Sequence, residues 1–106
     1  MSAIVTVYAT FADPDEASRI ARSVVDERLA ACANILAPCT SIYRWQGATE
    51  EAQEVPALFK TRAELAERLI ARIAALHSYE VPAAVAWPIA DALPAYGEWV
   101  AGETSS

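Results

Sequence analysis

His77 is the one histidine of the chain and stands at the end of a run of apolar residues at helical spacing. An imidazole there can ligate a metal ion or carry a proton near neutral pH. It can also serve simply as a cation placed favourably at a helix carboxyl end. Cys32 follows Leu29-Ala30-Ala31. Its thiolate could take a soft ion such as Cu(I), although the end of a preceding helix favours the protonated thiol and a packing role. Cys39 follows Pro38 with no partner nearby in sequence. An extended chain would hold the two cysteines roughly 20 Å apart, beyond disulfide reach, so both read as free thiols.

A second group is richer. Tyr43, Arg44, Trp45, Glu54, Lys60, Tyr79, Glu80 and Trp87 combine flat aromatic walls with a few charges. That is what a small polar-ligand pocket needs. Tyr43, Trp45, Lys60, Tyr79, Glu80 and Trp87 are the pocket candidates. Subunit contacts use the same residue types, and pockets often form between subunits. Lys60, beside a candidate helix cap at Thr61, is the best anion binder of the set. Patterns for catalysis are missing: no glycine-rich phosphate loop, no zinc-type cysteine cluster and no nucleophile elbow occur. The expectation is a protein that is not an enzyme.

These groups need a scaffold. Residues 3–11 alternate as a strand, with apolar odd positions and a mixed even face. Asp13-Pro14-Asp15-Glu16 then reads as a helix start, with Asp13 as N-cap and Glu16 completing a capping box. Ala17, Ile20, Ala21, Val24 and Val25 carry the helix towards Leu29–Ala31. Residues 26–61 read as one very long β-hairpin, interrupted at Ala37-Pro38 by an expected bulge and turning at Gly47–Glu50. The return strand spans roughly Glu54–Lys60, with Pro56 placed at an edge or bulge. Thr61 and Glu64 form a second capping box before the stripe Leu65, Leu69, Ile70, Ile73 and Leu76. A strand at 83–89 and a short helix from Asp91–Pro94, carrying Tyr96, Trp99 and Val100, complete the chain.

The order β-α-β-β-α-β is the α+β, ferredoxin-like plan: two helices on one face of an antiparallel sheet. The other face is left bare. Its candidates (Thr6, Tyr8, Ile42 or Tyr43, and Trp45) are too apolar for water, so self-association is expected. One domain suits 106 residues with 55% hydrophobic content. Fourteen acids against eight bases give a net charge of −6, which argues against nucleic acid and an anionic membrane as partners. No apolar run approaches the ~20 residues of a membrane span, and Met1-Ser2-Ala3 leads directly into a strand without a targeting segment. The cytoplasm is the expected location.

Four stretches also resemble a known family. Glu27-Arg28-Leu29-Ala30-Ala31-Cys32-Ala33-Asn34-Ile35, then Thr40-Ser41-Ile42-Tyr43-Arg44-Trp45-Gln46-Gly47, then Leu58-Phe59-Lys60-Thr61-Arg62, then Leu76-His77-Ser78-Tyr79-Glu80-Val81-Pro82 are similar to words of the CutA family of divalent-cation tolerance proteins. The likeness runs from about Val5 to Trp99. It implies a homotrimer whose partners are itself and a metal ion, with copper or another divalent cation as the ion concerned. A histidine in the family's His-x-Tyr-Glu pattern is implicated in copper binding, which points to His77, with Cys32 as the second metal candidate. The chain departs from the fuller copper set: Leu76 is not histidine, and Tyr8 and Ala9 stand where a first-strand cysteine would. Residues 1–102 are expected to form a single ferredoxin-like CutA domain, and the terminal residues 103–106 read as a frayed tail. The rival readings are a sensor trimer of the nitrogen-regulatory PII type, binding nucleotide or small anions, and a purely structural or anchoring trimer.

Overall fold

Odd and even residues of the first strand do different work. A computed structural model describes residues 3–105, beginning with β1 (Ile4–Phe11). Val7, Ala9 and Phe11 are fully buried against the helices, while Thr6 and Tyr8 look to the opposite face. Then come α1 (Pro14–Asp26), β2 (Cys32–Ile35), β3 (Cys39–Trp45), β4 (Ala48–Arg62), a 3-10 turn at Ala63–Leu65, α2 (Ala66–Leu76), β5 (Ala84–Pro88) and α3 (Pro94–Glu103). The sheet is antiparallel in the order β2-β4-β1-β5, with β3 paired to the first half of β4. This is the expected α+β, ferredoxin-like arrangement. Ile20 and Val24 of α1 and Leu69 and Ile73 of α2 fill the core over Ala57 and Phe59. No helix among the described residues is long and apolar enough to cross a membrane.

The helix α1 has the expected N-cap, the Asp13 carboxylate accepting the Glu16 N–H at 2.8 Å, but the Glu16 carboxylate accepts the Ala12 N–H at 3.0 Å, one residue before the cap. It ends earlier than Leu29–Ala31. Arg28 adopts φ 63°, and the Leu29 and Arg28 amides bond back to the Val24 and Val25 carbonyls at 3.0 Å each. That pair of bonds is a Schellman closure, formed here with arginine where glycine is usual.

The long hairpin is present, and β4 runs 15 residues, well beyond Glu54–Lys60. Its turn is Gln46-Gly47, not Gly47–Glu50. Both residues have positive φ, 49° and 82°, the requirement of a two-residue primed turn whose twist matches the strands. Ile35 pairs with Ala57 and Cys39 with Glu54. Residues 36–38 therefore face only 55–56, which is the one-residue bulge expected at Pro38. Pro56 turns its carbonyl to the Leu36 N–H at 2.9 Å, so its missing N–H also falls on the bulge side. The hairpin lengthens the molecule to 45 Å against 26 and 23 Å.

Two other expectations are corrected. Thr61 is not a helix cap: β4 continues through it, and its buried hydroxyl donates to the Leu29 carbonyl at 2.7 Å. The 103–106 tail does not fray where it is described. Glu103 belongs to α3, Thr104 is buried and its hydroxyl oxygen accepts from Arg62 Nε at 3.1 Å. The Ser105 amide bonds the Arg28 carbonyl at 2.9 Å; Ser106 lies outside the described residues. The helix α3 thus covers one end of the bare face, seating Val100 against Ile4 and Ala31. The other end stays open, where Trp87 stacks on Tyr8 with ring centroids 5.1 Å apart. Val85 and Trp87 are about half exposed there.

Candidate functional site

The hairpin leaves the body of the sheet beside the loop that joins α2 to β5, and between them lies a cleft of about 430 Å³. Ser41, Tyr43 and Trp45 of β3 line one wall. Glu54 of β4 and Thr10 of β1 form the floor, and Tyr79, Glu80, Val81 and Ala83 supply the loop side. Alternation in β3 accounts for the first wall: Tyr43 shares its face with Ser41 and Trp45, while Ile42 points the other way and is 69% exposed. Among the described residues no lysine or arginine lines the cleft.

The loop is held by a buried carboxylate. Glu16 accepts the Ser78 N–H at 2.8 Å with one oxygen and the Ala12 N–H with the other. Burial raises its pKa, but the bonds from Ser78 and Ala12 outweigh this, leaving it below its ordinary value. His77 stacks on Phe11 at 5.1 Å. Its Nδ1 must accept, because the Tyr79 N–H points at it from 3.0 Å. Its Nε2 therefore carries the proton and donates it to the Thr10 carbonyl at 2.7 Å. Tyr79 is thereby set against the floor, where burial first and then the Glu54 carboxylate push its phenol up to about 12.

Of the residues expected in a pocket, Tyr43, Trp45, Tyr79 and Glu80 come together, with Glu54 from the wider set. Lys60 and Trp87 do not. Lys60 sits between Cys32 and Thr6 in the sheet. The helix beyond it begins only at Ala66, so the anion site built on a helix start at Thr61 is not formed. Trp87 lies with Tyr8 on the open end of the bare face. Thr10, Ser41, Val81 and Ala83 are the cleft residues that sequence reasoning missed.

The two metal candidates are also apart. Both ring nitrogens of His77 are engaged with backbone groups. Cys32 shares the bare face with Lys60, and its Sγ lies 3.4 Å from the Tyr96 hydroxyl under α3. That contact first, then burial, raises the Tyr96 phenol to about 12. Thr6, opposite Lys60, is four residues along β1 from Thr10, which puts Cys32 roughly 13 Å from His77 along the strands alone. No three His, Cys, Asp or Glu side chains gather to hold a metal among the described residues. The residues of one chain do not fit a resident copper centre.

A sequence model of the family described as CutA1 divalent ion tolerance protein matches residues 5–103. The divalent-cation tolerance protein CutA of Thermus thermophilus is 45% identical over 98 residues, covering 92% of this chain and 95% of that protein. Its namesake in Pyrococcus horikoshii is 41% identical over 101 residues, covering 95% and 98%. Among solved structures, CutA from the bacterium Xylella fastidiosa superposes with a TM-score of 0.94 at 39% identity, over 98% of this chain and 100% of that one.

Proposed function

The chain belongs to the CutA1 divalent ion tolerance protein family, and from that membership we propose a divalent-cation tolerance role carried out by a homotrimer that is not an enzyme. The observation that carries the assembly is the open end of the bare face, where Trp87 is 48% and Val85 46% exposed beside the overhanging hairpin. Such apolar area is covered in soluble proteins by a further copy or partner. The number three rests on the family likeness. Support for a non-catalytic reading comes from His77, whose two nitrogens are committed to the backbone and so are not available as a general base. A triphosphate sensor would want a basic cleft, and the one present is acidic. Two free thiols favour the cytoplasm.

For the ion, copper or another divalent cation, the donor pair in closest register is Cys39 and Glu54, direct partners across β3 and β4. Their Cβ atoms stand about 5 Å apart in such a pair, and a second copy would add the remaining donors. Titration calorimetry with Cu(I), Cu(II) and Zn(II), paired with light scattering, tests this. Three chain masses are expected, with uptake reduced in Cys39→Ser and unchanged in Cys32→Ser. A monomer that binds copper through Cys32 overturns the reading.

A further inference from the structure

The cleft beneath the hairpin carries charge without a counter-charge. Glu54 is only 9% exposed, lines the cleft, and makes no ion pair with a lysine or arginine among the described residues. Glu80 adds a second carboxylate at the mouth. Around them stand three aromatic rings, Tyr43, Trp45 and Tyr79. Tyr43 and Trp45 are 43% and 41% exposed, and the fixed bonds at His77 and Ser78 hold Tyr79 in place.

We propose that this cleft is a binding site for an organic ammonium ion, an alkylated or quaternary amine. Three physical facts select that class. An aromatic face attracts a cation by its quadrupole, most strongly when the cation is poorly hydrated. A buried carboxylate without a base favours a positive partner. A hydrated divalent ion, by contrast, must exchange water for about six oxygen ligands, and the walls here are mainly rings and alkyl groups. Anions are opposed by both carboxylates. The volume of about 430 Å³ suits a small amine and not a polymer.

The inference goes beyond the metal reading and does not rest on it. Glu54 belongs to both, so an amine in the cleft and a metal on Cys39 would compete. Cys39 does not line the cleft, so Cys39→Ser removes the metal and spares the amine.

The test is titration calorimetry of the full chain with tetramethylammonium chloride, using sodium chloride at equal ionic strength as reference. Saturable binding is expected, weakened about tenfold in Trp45→Leu and in Glu80→Gln. It should be weakened further in Glu54→Gln and be unchanged in Cys39→Ser. Should Glu54→Gln fail to fold, the two rim variants decide, because both residues are exposed. No saturation up to roughly 100 mM, a dissociation constant too weak for a built site, would overturn the proposal. So would binding that survives Trp45→Leu and Glu80→Gln together, or calcium or chloride taking the cleft in preference to tetramethylammonium.

Discussion

The Nε2 proton of His77 is given to the carbonyl oxygen of Thr10 across 2.7 Å, joining the end of α2 to β1 at the floor of the cleft. With Nδ1 holding the Tyr79 amide, the ring links three segments. His77→Ala should therefore cost about 2–3 kcal/mol of folding stability by denaturant melting, for two lost bonds and a lost stack. Copper uptake should not change. A stable variant that no longer takes up copper would return His77 to the role of ligand.

Glu16 gives the fold a dependence on acid. Its pKa is held below the ordinary 4.5, so the folded state binds its proton less readily than the unfolded one. The resulting stability is fully present above 4.5 and is lost as pH falls through the lower folded value. In Glu16→Gln one amide N–H must face a backbone N–H, so the variant should be less stable near neutrality. Its stability should also fall less steeply with acid. Parallel acid slopes for the two proteins would rule out Glu16 as the source.

At the alkaline end the sign reverses. Tyr79 and Tyr96 both sit at about 12, against an ordinary 10.0. Their contribution is complete below 10.0 and disappears as pH rises through about 12. Phenolate absorbance should show two of the four tyrosines ionising late. Tyr8 also lies above 10.0, through burial first and then Cys39 and Glu54. Cys32→Ala should bring Tyr96 towards its ordinary value, and Glu54→Gln should do so in part for Tyr79. Spectra unchanged by either substitution would show that the two neighbours are not responsible.

Arg28 combines a left-handed backbone with a side chain that donates to the Gly102 carbonyl at 3.0 Å. Arg28→Ala keeps the strain and loses the bond, and should destabilise by about 1 kcal/mol. Arg28→Gly loses the same bond but relieves about 1 kcal/mol of backbone cost, and should come out near neutral. Equal melting of the two variants would mean the φ of 63° carries no penalty.

Trp87→Asp places a charge on the open end of the bare face. Assembly should weaken, seen as a concentration-dependent loss of mass in light scattering, because a buried unpaired carboxylate is costly. Trp99→Asp, at a half-exposed residue of α3 that packs on Tyr96, should leave the mass unchanged. Assembly indifferent to Trp87→Asp would move the contact elsewhere.

Much of the scaffold could be read from local chemistry. Asp13-Pro14 marked the start of α1, and the parity of β1 separated its two faces, because these signals depend on neighbours only. Thr61-x-x-Glu64 misled for a reason of the same kind: a capping box competes with strand pairing, and β1, whose Val5 and Ile4 pair with Thr61 and Arg62, kept β4 extended past Thr61. Four of the six pocket candidates gathered in the cleft. Lys60 and Trp87 were drawn in by residue type, whereas position was decided by register, which no single strand carries. The interruption at Pro38 also broke the parity between Cys32 and Tyr43, so the face taken by β3 could not be carried over from β2.

Pro56 divides β4 into two lengths with different surroundings. Amides of residues 57–60 lie in a strand flanked on both sides by β1 and β2, whereas those of 49–54 belong to a two-stranded ribbon with β3. In an isolated chain the first group should exchange hydrogen for deuterium only through global opening, and the second through local fraying of the ribbon. One strand would then show two lifetimes, divided at a residue that has no amide to report. Should the ribbon exchange as slowly as the body, its slowness would measure how long a neighbouring copy stays bound.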